Sequence, residues 1–215
     1  MTTIIEDPAN AERDTPNIPA SSAILQIGSS ILIAAPSSKI WAALTDTSTW
    51  PSWNSFIPRV TIRSQPDTPL DNDNNNPSTL SPVLQLGTRL TFHVCMDPTS
   101  SQPQVATLAH HVITEFVPPD AAKGTTGRIC WASDFDVPGT MGPSLLTAER
   151  VHELKDVEIT EGENVLRGTE VRNWTCQVGW LVYVVRWMYG ERLHQNFELW
   201  VQDLKNYVEG LNAET

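Results

Sequence analysis

The C-terminal segment is the feature that most constrains the fold of this chain. Apolar residues recur there at spacings of four, four, three and four positions: Leu193, Phe197, Val201, Leu204 and Val208. This period puts them on one face of a long amphipathic helix that ends near Gly210. No other segment predicts a helix of comparable length, so this helix must cover any sheet formed upstream.

The upstream segments predict strands. An Ile- and Leu-rich first strand covers residues 27–33, a short helix follows Pro36, and a second short helix or turn covers residues 50–57. Further strands are predicted at 59–63, 88–96, 105–116, 128–135, 145–154 and 164–178. Consecutive strands with short connections favour an antiparallel sheet with one covered face. We therefore expect an α+β fold of about six to seven strands, wrapped on the long helix, with two short helices after the first strand.

A length of 215 residues suits one domain, which we place at residues 23–211. Residues 1–22 are rich in Pro and Asp and predict a disordered tail. Residues 64–84 are rich in Asn and Pro and have almost no bulky side chain, so they cannot bury enough area to offset the entropy of ordering. We expect a flexible insertion there.

The charge balance is acidic, with 25 Asp and Glu against 14 Lys and Arg. A phosphate backbone needs clustered cations, so a nucleic-acid partner is not expected. The N-terminus lacks a basic region followed by an apolar run, and we expect a cytoplasmic protein with reduced cysteines. The longest apolar run, 180–189, is too short to span a bilayer, so no stable membrane insertion is expected.

Tryptophan makes up half of the aromatic residues, eight of sixteen. Two of them, Trp180 and Trp187, crowd the start of the long helix together with Tyr183 and Tyr189. They occupy more of its circumference than one buried stripe explains. They predict either the lip of a binding site or a homodimer contact.

Two N-terminal motifs carry a family resemblance. Ala34-Ala35-Pro36 precedes a helix with Ile40-Trp41, and the turn Trp50-Pro51-Ser52-Trp53-Asn54 follows. Together they resemble the opening of the SRPBCC superfamily, which includes START-like proteins, the birch pollen allergen group and the polyketide cyclase/dehydrase type. Further matches lie at 86–88, at 117–119 followed by Trp131, at 149–154 and at 204–209, and the resemblance spans about residues 28–210. It implies a helix-grip fold, in which a curved sheet and the C-terminal helix enclose a cavity.

The strand at 149–154 holds the first candidate catalytic residues. A period of two puts Arg150, His152 and Leu154 on one face, and by resemblance that face points toward the helix. Arg150 would then hold a carboxylate or enolate oxygen, and His152 would move a proton. The alternative is that both side chains are solvated or paired with Glu115 or Asp134.

Histidines also occur on neighbouring predicted strands. His110 and His111 are adjacent, so they face opposite ways and cannot share one metal ion. His111 is a candidate acid or base and His93 a candidate ligand-binding residue, although a structural role is the alternative for both. No metal-binding, nucleotide, redox-cofactor or hydrolase motif occurs, so we expect no metal and no cofactor.

Aromatic residues are the remaining candidates for ligand binding. By resemblance Trp53 and Phe56 border the cavity, whereas Trp131 and Trp174 lie on strands and either fill or line it. Phe197 faces it from the helix.

These residues predict a protein that encloses a hydrophobic small molecule, polyketide-, terpenoid- or lipid-like. A second reading is a cyclase, dehydratase or isomerase without metal or redox cofactor. A third is a chaperone-activator type of protein interaction through the sheet surface.

Overall fold

Seven strands form one antiparallel sheet in the computed structural model of the protein, which describes residues 13–66, 80–100, 105–161 and 164–213. The elements are β1 (Leu25–Ile33), α1 (Ser37–Thr45), β2 (Arg59–Ser64), β3 (Arg89–Val94), β4 (Thr107–Val117), β5 (Gly127–Ser133), β6 (Thr147–Glu161), β7 (Asn164–Val178) and α2 (Trp180–Ala213). The order across the sheet is β1-β7-β6-β5-β4-β3-β2. The expected sheet and terminal helix are confirmed. The second short helix is a single 3-10 turn, Trp50–Ser52.

The helix α2 packs along the inner face of the curved sheet. Its predicted apolar stripe is buried at Phe197, Val201, Leu204 and Val208, while Leu193 is partly buried against the same core. Trp200, one position from that stripe, is also fully buried. The space between the inner sheet face and α2 is called the interior below.

One glycine joins β7 to α2. Gly179 has φ of 114°, and a Cβ there would collide with the backbone carbonyl of Leu145. The Trp180 and Leu181 amides donate to the carbonyls of Ser144 and Leu145 at 3.2 and 2.9 Å. The start of α2 is therefore fixed to the segment before β6.

The outer face of the sheet carries an N-terminal strap, residues 13–22. Asn17 donates to both Glu149 carboxylate oxygens, at 2.9 Å from its backbone N–H and 2.6 Å from Nδ2. Thr15 and Ile18 are buried. The expectation of a disordered tail is wrong for this part, because the apolar outer face of β6 and β7 gives the strap a surface to cover; residues 1–12 lie outside the described residues.

The predicted insertion at 64–84 is ordered at both ends. Ser64 closes β2, and the buried Leu84 donates its N–H to the carbonyl of Thr45 at 2.8 Å. Residues 67–79 lie outside the described residues, so the predicted flexibility of that part stays a prediction.

Candidate functional site

Cross-strand register brings the candidate residues together on the inner face. Arg150 on β6 pairs with Trp131 on β5 and Thr175 on β7. His152, two positions along, pairs with Asn173 on β7. Directly paired residues project to the same face of a sheet, so the predicted alternation along β6 is confirmed for Arg150 and His152.

Arg150 is held by a polar chain that crosses from the sheet to α2. Its Nε and Nη2 donate to Oδ1 of Asn173 at 3.2 and 2.9 Å. Asn173 Nδ2 donates to Oγ of Ser29 on β1, and Ser29 Oγ donates to the carbonyl of Phe197 at 2.8 Å. The chain fixes the orientation of the guanidinium.

Aromatic rings surround the Arg150 guanidinium. Its Cζ lies 4.0 Å from the ring centroid of Phe197, 5.2 Å from Trp200, 5.8 Å from Phe56 and 6.0 Å from Trp131. These are cation–π distances.

No carboxylate among the described residues forms an ion pair with Arg150. The two partners weighed from the sequence lie elsewhere, since Glu115 pairs with Arg128, and Asp134 pairs with Arg63 and Arg89. Burial lowers the pKa of Arg150 to about 9, so the group still carries its charge at neutral pH.

His152 lies between two tryptophans. Its ring centroid is 4.3 Å from Trp131 on one side and 4.3 Å from Trp200 on the other. The residue is fully buried, and neither ring nitrogen has a hydrogen-bond partner among the described residues. Burial, and then the charge of Arg150, hold the pKa of His152 well below its ordinary value of 6.5. The imidazole is therefore neutral at physiological pH.

His111 lies further along the inner face, opposite Leu90 in the register. Its ring centroid is 5.0 Å from that of Phe92, and its Nδ1 has no partner in the described part of the chain. Burial lowers the pKa of His111 to about 4, with a smaller contribution from the charge of Arg150. It is a second neutral imidazole that faces the interior.

Two groups of rings, joined through the Arg150 guanidinium, pack around these polar side chains. This aromatic cluster consists of Trp50, Trp53, Phe56, Phe92, Trp131, Phe197 and Trp200. Neighbouring ring centroids in it lie 5.5–6.4 Å apart. The residues expected to line a cavity are thus packed against one another around Arg150 and His152.

His93 does not join this group. It alternates with the buried Leu90, Phe92 and Val94 on β3 and so lies on the outer side, where Nε2 is 2.9 Å from Oγ1 of Thr61. A shallow pocket of about 290 Å³ on that side is lined by His93 and its neighbours. The prediction that His93 enters the interior is wrong, because its position on β3 has the opposite parity to Phe92.

Trp174 also lies on the outer face. Its Nε1 donates to the carbonyl of Asp14 at 3.1 Å, and the guanidinium carbons of Arg13 and Arg128 lie 5.5 Å from its ring centroid. The prediction that Trp174 fills or lines the cavity is wrong, because the strap provides a second apolar layer on that side. Its neighbour Asn173 faces inward instead.

Three interior residues were missed as site candidates. They are Asn173, Trp50 and Trp200, of which the sequence singles out Trp50 alone, as part of the N-terminal motif. Trp50 and Trp200 are fully buried, and neither indole N–H has a partner among the described residues. Asn173 could have been found only from the strand register, which the local pattern does not contain.

Two properties of the described ranges bear on the expected partners. No three His, Cys, Asp or Glu side chains there come close enough to hold a metal ion. No helix there is both long and apolar enough to cross a membrane.

Sequence comparison connects the chain to known proteins. A profile described as polyketide cyclase / dehydrase and lipid transport matches residues 25–156. Oxopyrrolidines biosynthesis cluster protein O of Penicillium oxalicum is 42% identical over 197 residues, which cover 91% of this chain and 92% of that protein.

Solved structures share the fold. A hypothetical protein of Helicobacter pylori matches with a TM-score of 0.62 at 14% identity, covering 93% of this chain and 96% of the other. A START superfamily protein from Mycobacterium smegmatis matches with a TM-score of 0.50 at 14% identity, covering 86% and 98%. At these identities the likeness shows the fold alone, and with the profile it confirms the SRPBCC resemblance and the helix-grip fold.

Proposed function

This chain belongs to the polyketide cyclase / dehydrase and lipid transport family, and from its interior polar groups we propose that it binds a hydrophobic small molecule between the sheet and α2. The molecule is an intermediate of a biosynthetic pathway, as the name of the Penicillium relative suggests. Arg150 and His152 are its polar anchors.

The observation that carries this proposal is the set of buried polar atoms without partners. Around the aromatic cluster they are both nitrogens of His152, Nδ1 of His111, and Nε1 of Trp50 and Trp200; elsewhere in the described residues Oγ of Ser30, Nδ2 of Asn54 and Nε of Arg63 also lack partners. Each buried unsatisfied group costs about 1–3 kcal/mol, and native cores contain few of them. A core that serves stability alone would be apolar at these positions, so we assign the polar atoms to a ligand.

The chemistry of these atoms limits the ligand. The indole groups only donate hydrogen bonds, and a neutral imidazole has one donor and one acceptor. A ring with carbonyl oxygens fits them, and an oxopyrrolidine carries such a carbonyl. The apolar remainder of the ligand would contact the aromatic cluster, whose rings must move apart to admit it.

A second candidate function is catalysis without a metal or redox cofactor. It is favoured by a neutral imidazole two positions from a fixed guanidinium on the same face of β6, a separation of about 7 Å along the strand. His152, or His111, would remove a proton from the carbon beside a carbonyl. The electron pair would move onto the carbonyl oxygen, where Arg150 stabilises the charge. The imidazolium would then protonate a β-hydroxyl, which leaves as water, or return the proton to carbon in an isomerisation.

The binding proposal is tested with the neutral fluorescent probe N-phenyl-1-naphthylamine. We expect one probe per chain and at least tenfold weaker binding to His152→Phe, which adds bulk to the interior. Trp174→Phe, on the outer face, is the matched control and should bind as the wild type does. Absence of binding to the wild type, or equal losses in both variants, would reject the proposal.

Catalysis is tested separately by turnover of candidate polyketide and oxopyrrolidine intermediates. We expect Arg150→Met and His152→Leu each to lower the rate at least 10²-fold, the usual size of an acid–base or oxyanion contribution. Turnover that is unchanged in both variants would remove the assigned roles.

A further inference from the structure

The charge of Arg150 narrows the class of ligand. We propose that the ligand is an organic anion that places an ionised oxygen, of a carboxylate or an enolate, against the Arg150 guanidinium. This inference rests on the proposed function and deepens it.

Four arginines of the sheet have carboxylate partners although they are partly exposed. Arg63 and Arg89 bind Asp134 at 2.5 and 2.6 Å, Arg128 binds Glu115 at 2.9 Å, and Arg172 binds Glu170 at 2.6 Å. Their side chains are 24–35% exposed. In this acidic protein these four guanidinium groups thus have a counter-charge although water already screens them.

Arg150 differs from these four arginines because it is buried and has no carboxylate partner among the described residues. It is only 6% exposed, yet its described hydrogen-bond acceptor is a neutral amide oxygen, Oδ1 of Asn173. Buried charges are normally paired, because desolvation of an unpaired ion costs several kcal/mol. The aromatic rings around Arg150 recover a part of that cost, about 2 kcal/mol for a desolvated cation–π contact, but they supply no negative charge.

The guanidinium also retains unused donors. It carries five N–H groups, and Asn173 receives one from Nε and one from Nη2. The other three have no acceptor among the described residues. A carboxylate or enolate oxygen would accept from them and neutralise the charge, and charge-assisted bonds of this kind are about twice as strong as neutral ones.

The aromatic cluster limits the rest of the ligand. Phe197 and Trp200 approach Arg150 from α2, opposite the sheet, and Phe56 packs against Phe197, so an anion that reaches Arg150 lies against ring faces and edges. Flat conjugated anions match such walls by stacking. We therefore expect aromatic carboxylates and cyclic enolates to bind, and their neutral analogues to bind more weakly.

The test uses two probes with the same carbon skeleton. N-phenyl-1-naphthylamine is neutral, and 8-anilinonaphthalene-1-sulfonate adds only an anionic group. Calorimetric titration of the full chain should give at least tenfold tighter binding of the sulfonate. Titrations with 1-naphthoate and with the ionised enol of 4-hydroxycoumarin then tell a carboxylate preference from an enolate preference, and either one supports the inference.

Two variants locate the effect. Asn173→Asp is nearly isosteric and gives the guanidinium the carboxylate that it lacks, so the sulfonate should bind at least tenfold more weakly while the neutral probe is unaffected. Arg150→Met should do the same by removing the charge. Arg172→Met, on the outer face, is the control and should leave both affinities unchanged.

The outcomes separate the two claims. If the wild type binds the neutral probe as tightly as the sulfonate, or if both interior variants keep the preference for the sulfonate, the anion inference is overturned and the binding proposal stands. If the wild type does not bind the neutral probe, the binding proposal fails, and the anion inference that rests on it fails as well. Thermal unfolding checks that each variant is folded. If Arg150→Met does not fold, Asn173→Asp alone still tests the inference.

A different observation carries a second inference, on the first three turns of α2. Large apolar side chains are exposed there, with Trp180 at 78% and Trp187 at 85%. The exposed set also includes Tyr183, Val184, Met188 and Tyr189. Arg186 is the single charged residue between 180 and 190. We infer that this helix surface binds a second copy of the chain.

The exposed area of this helix surface supports a second copy of the chain as its partner. An aromatic side chain buries about 150–250 Å², so the exposed parts of the five side chains that share one helix face, at 180, 183, 184, 187 and 188, amount to roughly 700 Å², close to the roughly 800 Å² that one partner contributes to a standard interface. The largest patch on a monomer is usually about 300–600 Å². A two-fold interface needs only this one surface, because the same patch serves both subunits.

Sedimentation velocity over a range of concentrations tests the dimer. We expect the wild type to sediment with twice the mass of the chain and Trp187→Glu to sediment as a monomer, while Gln202→Glu, exposed further along α2, remains dimeric. A wild type that stays monomeric at 100 µM overturns the inference. Two further results would also overturn it. One is a monomeric wild type that binds phosphatidylcholine vesicles through Trp187, and the other is a chain that dimerises only after deletion of residues 1–12.

Discussion

The guanidinium carbon of Arg150 on β6 lies 4.0 Å from the ring centroid of Phe197 on α2. This contact joins the sheet to the helix at the centre of the candidate site. A double-mutant cycle with Phe197→Leu and Arg150→Met should give a coupling free energy of about 0.5–2 kcal/mol. Urea unfolding measures it, and a cycle of Phe92→Leu with Arg150→Met is the control. Equal coupling in the two cycles would contradict a specific contact between Arg150 and Phe197.

The two imidazoles that face the interior should make stability depend on pH. The pKa of His152 and that of His111 lie below 6.5 in the folded protein, so between these values the unfolded chain binds more protons. Their contribution is therefore present above pH 6.5 and is lost as the pH falls. Each histidine adds up to about 1.4 kcal/mol per pH unit to the slope of the unfolding free energy.

Substitution by leucine tests this assignment. His152→Leu should leave the unfolding free energy at pH 7 unchanged or higher, because no hydrogen bond is lost, and should flatten its fall below pH 6.5. His111→Leu should flatten the same range down to about pH 4. Urea titrations at several pH values measure the slopes. Slopes equal to the wild type in both variants would rule out neutral, buried imidazoles.

The N-terminal strap should protect the thiol of Cys176 from chemical modification. Cys176 Sγ donates to the carbonyl of Arg13 at 3.4 Å, and burial raises the pKa of that thiol. Glu149→Ala removes both acceptors of Asn17, so in a Cys95→Ala/Cys130→Ala background we expect iodoacetamide to modify Cys176 at least tenfold faster. Glu153→Ala, on the same outer face without a described strap contact, is the control. An unchanged rate in Glu149→Ala would show that Asn17 does not hold the strap.

The carboxylate of Asp134 should stabilise the β2–β5 end of the sheet. Burial acts to raise its pKa, but the hydrogen bond and charge of Arg63, together with Arg89, outweigh burial and lower it. The contribution is thus present above the ordinary value of 3.8 and is lost below it. Asp134→Asn should cost about 1–3 kcal/mol at pH 7, whereas Asp136→Asn, a 75% exposed partner of Arg89, should cost under about 1 kcal/mol. Equal losses in chemical unfolding would refute this ranking.

Periodicity predicted the fold well where one face of an element is buried. The spacing of the α2 stripe and the alternation of Arg150 and His152 on β6 were both readable, because each depends on residues close in sequence. The family motif around Trp50 and Trp53 supplied the topology. Strand ends were harder to predict. β6 continues seven residues beyond the predicted limit at Leu154, because the part of β6 and β7 that extends beyond the other strands has no strong apolar pattern.

Prediction failed where both faces of a strand are covered. Asn173 and Trp174 are neighbours on β7, and only the register with β6 decides which of them faces α2. The strap makes the outer side of Trp174 apolar as well, so hydrophobicity pointed to the wrong residue. The sides of the sheet that His93 and His111 face could not be predicted from the sequence either. The two side chains face opposite sides, which follows from the pairing of β3 with β4.

Gly179 alone joins β7 to α2, so α2 would tilt as a rigid body about this junction. Trp200 lies twenty residues along the helix from Trp180, or about 30 Å at 1.5 Å per residue. A tilt of about 7° around the junction would displace Trp200 by about 3.6 Å, the contact distance of two carbon atoms. Space for a flat molecule beside His152 therefore requires no unfolding of the helix and no break in the sheet, but the rotation would break hydrogen bonds that hold α2 along its length, those of Ser29 to the Phe197 carbonyl and of Ser55 to Asp203 among them.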